Sequence, residues 1–195
     1  MFAPRFRALL LALVAALGGL ASPVPEASAH GSRKSAEAPP ERPAALFVVR
    51  HAEKMRDEDP RLTPEGHRRS AELARVLGDA GLDAIYATQW RRTRATAAPL
   101  AVATGLDPQI VETTGDYAEN LAKKLLEDHT GEAVLVVGHS HTTPGLLAAL
   151  GVEDVPEIPE TQYDDLFLVV FSGGAPRLIS LDYGAPTPSP PSPRD

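Results

Sequence analysis

Three stretches of this 195-residue chain could do chemistry: Arg50-His51-Ala52-Glu53-Lys54, Arg91-Arg92-Thr93-Arg94 running on to Thr96-Ala97, and Gly138-His139-Ser140-His141. Between them they bring two well-placed histidines and several guanidinium groups. A phosphate monoester carries nearly two negative charges on oxygens that accept hydrogen bonds. Arginine offers planar donor pairs matched to such oxygens and keeps its charge at any working pH. Arg50 and one of the arginines at 91–94 are expected to form that clamp. A neutral imidazole can attack phosphorus through one ring nitrogen while an acceptor holds the other. His51 is the candidate nucleophile. His139 is expected beside the transferring group, where in its protonated form it would offset the charge spreading over the equatorial oxygens. A carboxylic acid is also wanted, to protonate the leaving oxygen and later activate water. Glu112 is the first choice, with Asp116, Glu119 and Glu53 as rivals.

The elements around these residues can be read from periodicity. Ala45–Val49 and Ala133–Val137 are continuous apolar runs, as expected for strands covered on both faces. Asp83–Ala87 and Gln109–Glu112 are shorter strands, and Leu166–Phe171 and Arg177–Leu181 close the domain around Gly173-Gly174. Thr63-Pro64 opens a helix whose buried stripe is Leu73, Val76, Leu77 and Ala80, with Gly81 as its stop. A second helix runs to about Ala103, with Pro99 expected to kink or restart it. A third spans about Asp116 to His129, and a fourth is capped by Thr143-Pro144 and closed by Gly151. Alternating strands and helices imply crossover units, hence an α/β fold: a three-layer α/β/α sandwich with a mostly parallel sheet. Ligands of such sheets sit at the carboxyl ends of the strands. All three motifs follow strands, so they are expected on one edge.

Other chemistries fare worse. The chain has no cysteine, which excludes disulfides and thiolate catalysis. His139 and His141 lie two apart like a metal-ligand pair, but no third ligand accompanies them, and no metal or other cofactor is expected. Gly138-His139-Ser140-His141-Thr142 approaches a serine-hydrolase elbow. Thr142 replaces the last glycine, and no histidine follows His141 to act as base. His67 and His129 are expected at the surface of helices. The formal charge of −7 argues against nucleic acid or an anionic membrane as a partner, leaving a small phosphorylated substrate.

The ends differ in composition from the middle. Residues 1–29 read as a secretory signal peptide: Arg5 and Arg7, then an apolar run from Ala8 to Ala21, then Ala27-Ser28-Ala29 as a cleavage site. The run is short of the roughly 20 residues of a membrane span, so stable insertion after cleavage is not expected. Residues 30–43 read as a flexible leader, 44–183 as one domain, and 184–195 as a Pro-rich disordered tail. The expected location is outside the cytoplasm, periplasmic or extracellular.

Arg50-His51, the Thr88–Ala97 segment and Gly138-His139 resemble the three signatures of the histidine phosphatase superfamily, the phosphoglycerate mutase-like proteins of branch 1 type. The family's second signature resembles Ser-x-x-x-Arg-x-x-x-Thr-Ala, and that register selects Arg92 here. Leu62-Thr63-Pro64-Glu65-Gly66 and the closing Leu181-Asp182-Tyr183-Gly184 also match. The resemblance covers about Ala45 to Gly184. It implies that His51 is phosphorylated, that Arg50, Arg92 and His139 complete the phosphate pocket, and that no metal is needed. Ala52 stands where the family most often has glycine, and Thr88 in a common serine position. Glu112 is carried over by location, because the acid motif of the mutase branch is not recognisable. Ser140 after His139 removes the His-Asp pair of the phytase branch. The resulting expectation is an exported phosphomonoesterase. A phosphomutase and a catalytically impaired phosphate-binding protein are the alternatives.

Overall fold

The computed structural model describes residues 43–171 and 174–187. The stretch read as a signal peptide, the expected leader up to residue 42, residues 172–173 and the expected tail from 188 lie outside the described residues. Six strands form one sheet in the order β3-β2-β4-β1-β5-β6. They are β1 (Ala45–Arg50), β2 (Ala84–Thr88), β3 (Gln109–Val111), β4 (Ala133–Gly138), β5 (Asp165–Val170) and β6 (Arg177–Asp182). The β3-β2-β4-β1 block is parallel throughout, while β5 pairs antiparallel with β1 and with β6. The sheet is therefore mixed, with a parallel majority.

Four helices cover it: α1 (Pro64–Leu77), α2 (Arg91–Thr104), α3 (Tyr117–Asp128) and α4 (Thr142–Ala149). Strand alternation divides the core in two. Leu46, Val48, Tyr86, Val134 and Val136 pack with Leu121 and Leu125 of α3 and Leu146 and Leu147 of α4. Val49, Ile85, Leu135 and Val137 pack with Leu73 and Leu77 of α1 and Ala97 and Leu100 of α2. Burial on both faces explains why β1 and β4 read as unbroken apolar runs rather than alternating ones. No helix among the described residues is long and apolar enough to cross a membrane.

Several local expectations need correction. Helix α1 stops at Leu77, so Val76 and Ala80 are exposed rather than part of its buried stripe. Pro99 interrupts nothing: α2 runs through it to Thr104 and is closed by Gly105 at φ 72°. His129 is buried at the end of α3, where Nε2 meets the Tyr86 hydroxyl at 2.7 Å and Nδ1 meets Glu132 at 2.7 Å. Its neighbours at the foot of the sheet, not its place on a helix, decide that burial. The start of the tail is also held. The Arg69 guanidinium donates to the carbonyls of Tyr183 and Ala185 at 2.7 Å each, and the Thr187 N–H donates to Asp164 at 2.8 Å.

Arg69 has a second task. Its other donors grip the Glu53 carboxylate at 2.8–3.1 Å, so one buried guanidinium ties α1, the loop after β1 and the chain after β6. The first turn of α1 comes close enough for this only because residue 66 is glycine. A Cβ there would lie 2.2 Å from the Glu53 carbonyl oxygen, which also accepts from the Thr63 N–H at 2.9 Å. Gly66→Ala is therefore expected to cost about 2–3 kcal/mol, read as a fall in the urea midpoint. Gly145→Ala in α4 is the contrast: its Cβ would meet Ala118 at an ordinary 3.5 Å, and better helix propensity should leave stability unchanged or raised by up to about 1 kcal/mol.

Candidate active site

Hydrogen bonding of the parallel strands brings the motifs together. Arg50 ends β1 in register with Gly138 at the end of β4, and the His51 N–H donates to the Gly138 carbonyl at 2.9 Å. Gly138 is followed by a tight turn into α4. The Thr142 hydroxyl accepts from the His139 N–H at 2.9 Å, and a Cβ on residue 138 would meet two threonine hydroxyls at 3.0 and 3.1 Å. The second motif joins through Thr96, whose hydroxyl accepts from the Ala52 N–H at 2.9 Å and donates to the Arg92 carbonyl at 2.8 Å. The loop after β1 is thus bonded to the first turns of α2.

His51 and His139 face each other edge-on, with ring centroids 5.3 Å apart and each residue 2% exposed. A carbonyl can only accept, so the 2.8 Å contact between His51 Nδ1 and the Ala52 carbonyl fixes the proton on Nδ1. The lone pair is then on Nε2. Burial lowers the His51 pKa to about 3, helped by Arg50, Arg92 and Lys54 and opposed by the Ala52 bond. The ring is neutral at any ordinary pH, as a nucleophile requires.

The His139 ring makes one bond, from Nε2 to the Thr88 hydroxyl at 2.9 Å, and Thr88 in turn meets Thr93 at 2.8 Å. Burial, then Arg92, His51, His141 and Arg50 lower its pKa to about 3 as well. In the ligand-free site burial first, and then these cationic or potentially cationic neighbours, hold the ring neutral. A bound dianion would reverse the sign of that field. His141 stacks on His139 with centroids 5.5 Å apart.

Arg50 is 1% exposed and Arg92 half-buried, whereas Arg91 and Arg94 are exposed. The Arg92 guanidinium lies 5.1 Å from the Trp90 ring centroid. Among the described residues, the buried side-chain nitrogens without a partner are Arg50 Nε, Arg92 Nε and His139 Nδ1. Each comes from a different motif. Buried polar nitrogens are normally paired, and these three are left without a protein partner.

The carboxylates are less well placed. Glu112 is exposed on the loop after β3 and makes no hydrogen bond to any of these four residues. Its neighbour Thr113 is bonded to Gln89 and Trp90, beside Arg92. Asp116 and Glu119 are exposed at the start of α3. Glu53 is committed to Arg69. The carboxylate that does touch the site is Glu160, which bonds Arg50 Nη2 at 2.9 Å and the Ser140 hydroxyl. Its loop also gives Arg50 Nη1 two acceptors, the carbonyls of Pro159 and Gln162 at 2.8 Å each, and lays Tyr163 4.1 Å from the guanidinium carbon. Sequence reading passed over Glu160, because it lies about 110 residues from Arg50 in an irregular segment without a motif. Asp59, which accepts from the Arg91 N–H at 3.0 Å at the start of α2, was missed for the same reason.

Residues 46–117 match the family model described as histidine phosphatase superfamily (branch 1). Solved structures share the fold at low identity. Mycobacterial glucosyl-3-phosphoglycerate phosphatase aligns at TM-score 0.56 and 18% identity, over 73% of this chain and 99% of that one. Phosphoserine phosphatase from Entamoeba histolytica, a mutant bound to phosphoserine, gives 0.55 and 16%, over 71% and 95%. The product of an open reading frame of Mycobacterium tuberculosis gives 0.55 and 18%, over 72% and 98%. No curated protein matches in sequence. Residues 46–117 are thus similar to the histidine phosphatase superfamily, and the remaining strands complete the phosphoglycerate mutase-like fold that the solved structures share.

The two lowered histidine pKa values have a consequence for stability. The unfolded chain takes up these protons near pH 6.5, the folded chain only near 3, so acid favours unfolding. The stabilisation is whole above pH 6.5 and is lost as pH falls towards 3. At pH 5 each ring should cost on the order of 1–2 kcal/mol relative to pH 7. Urea unfolding at the two pH values should show this loss, and the double variant His51→Asn, His139→Asn should flatten it.

Proposed function

We propose that this protein is a phosphomonoesterase that works through a phosphohistidine on His51. The observation that carries the reading is the His51 tautomer. A buried, neutral imidazole is held by its Nδ1–H on the Ala52 carbonyl, with Nε2 free beside His139. In the first step Nε2 attacks phosphorus, the bond to the ester oxygen breaks, and the alcohol leaves after taking up a proton. In the second step water attacks the phosphorus of phosphohistidine, inorganic phosphate departs, and the imidazole is restored. Arg50 and Arg92 hold the equatorial oxygens. His139 takes a proton as the dianion binds and donates to it, with Thr88 fixing the ring. Glu112 is the proposed proton donor, supported by its loop's attachment beside Arg92. The substrate is a small phosphate ester. Export remains part of the proposal, on the strength of the composition of residues 1–29.

The test is release of phosphate from an aryl phosphate by the purified protein, with acid-quenched labelling of the intermediate. His51→Ala should abolish both signals, and Arg50→Ala or Arg92→Ala should lower kcat/KM by about 10²–10³-fold. Equal turnover by wild type and His51→Ala would end the phosphohistidine route. Phosphate binding without turnover would favour the impaired binding protein. Transfer of the phosphoryl group to a second hydroxyl in preference to water would favour the mutase.

A further inference from the structure

Glu160 places a carboxylate on the same guanidinium that the proposed phosphoryl group needs. Its side chain is 77% exposed, yet Oε2 sits 2.9 Å from Arg50 Nη2, and the other oxygen accepts from the Ser140 hydroxyl. Ser140 foremost, then Arg50 and Lys54, hold its carboxyl below the usual range against a partial desolvation, so it is an anion when the site is empty of ligand. Arg50 Nη1 is taken by two backbone carbonyls, and Nε alone has no partner. An incoming phosphoryl group therefore finds Nε without a partner but buried, and must share or win Nη2. Arg50 is buried but the carboxylate of this pair stands mostly in water, which weakens the pair, so a dianion that makes several charge-assisted bonds can displace it. The carboxylate then remains at the mouth, on a loop whose carbonyls still grip Arg50.

The adjoining cleft points the same way. A cavity of about 570 Å³ shares Tyr163 with the site and is lined among others by Thr161, Thr187 and the ion pair Glu53–Arg69. Its other carboxylates, Glu65 and Glu72, are paired as well, with Arg68 at 2.7 Å and Arg75 at 2.6 Å. No unpaired cation among these lining residues is left to receive an anionic leaving group. Hydroxyl and backbone groups are there for a neutral one.

We propose that Glu160 is a specificity-determining residue: it occupies Arg50 until a phosphoryl dianion displaces it, and its charge then disfavours esters with a second anion near the ester oxygen, so that the site takes monoesters of neutral, hydroxylated alcohols. The inference rests on the phosphatase reading for the identity of the ligand, but its test does not need turnover. Binding of inorganic phosphate to the full chain is measured by calorimetry for wild type and Glu160→Gln. Binding of glycerol 3-phosphate and of 3-phosphoglycerate, which differ by one carboxylate, is compared on a His51→Asn background so that no ester is consumed.

Glu160→Gln should tighten inorganic phosphate about 3–5-fold, the range such a weakened ion pair supplies. It should also narrow or invert a preference for glycerol 3-phosphate over 3-phosphoglycerate, because Lys54 would be left without its counter-charge. Ser140→Ala, which removes the other partner of Glu160, should tighten phosphate in the same direction by less. An unchanged ligand preference in Glu160→Gln, or weaker phosphate binding, would overturn the assignment. If wild type binds phosphate and these shifts occur while no ester is hydrolysed, the phosphatase reading fails and the role of Glu160 stands. If wild type binds no phosphate, both fall.

Discussion

Arg50 carries a permanent positive charge with almost none of its surface in water, and the rest of the site follows from that. A buried guanidinium must be surrounded by acceptors. Here the 159–163 loop supplies two carbonyls, a carboxylate and an aromatic face. That requirement places an irregular segment over the carboxyl ends of β1 and β4. Burial above all, with Arg50 and Arg92 adding to it, keeps two histidines neutral, so that one of them keeps a free lone pair. A site built this way has its own anion, Glu160, at the rim.

A second buried guanidinium stabilises the frame. Arg69 reaches from α1 to Glu53, two residues past His51, and to carbonyls beyond the last strand. Its reach depends on the close approach of Gly66 to the Glu53 backbone. The position of His51 therefore depends on a contact remote from its ring. Thr96 has the matching role from the other side, bonding the Ala52 N–H. The His51 loop is pinned from α1, from α2 and from β4, which is the preorganisation that an imidazole nucleophile needs.

Much of this was legible beforehand, for identifiable reasons. Strands β1 and β4 could be read because burial on both faces leaves no polar position in them. Thr63-Pro64 marked the start of α1 because its capping chemistry is local, and the Thr63 hydroxyl does accept the Gly66 N–H at 3.1 Å. The end of α1 was misplaced because Gly81 looked like a stop, while the chain leaves the helix at Gly78 with an ordinary backbone conformation. Burial of His129 was missed because its partner, Tyr86, lies 43 residues away on β2. The held segment 184–187 was missed because proline-rich composition says nothing about a distant arginine that can bond its carbonyls.

The sequence by itself determined which side chains would meet. His51, Arg50, Arg92 and His139 each follow a strand or open a helix, and a parallel sheet delivers such positions to one edge whatever the details of packing. Only the tertiary structure decided the protonation state of the histidines and which carboxylate touches the anion site. Both depend on what stands within a few ångströms in space. Desolvation and Coulomb fields fall off with that distance and take no account of separation along the chain, so no motif records them.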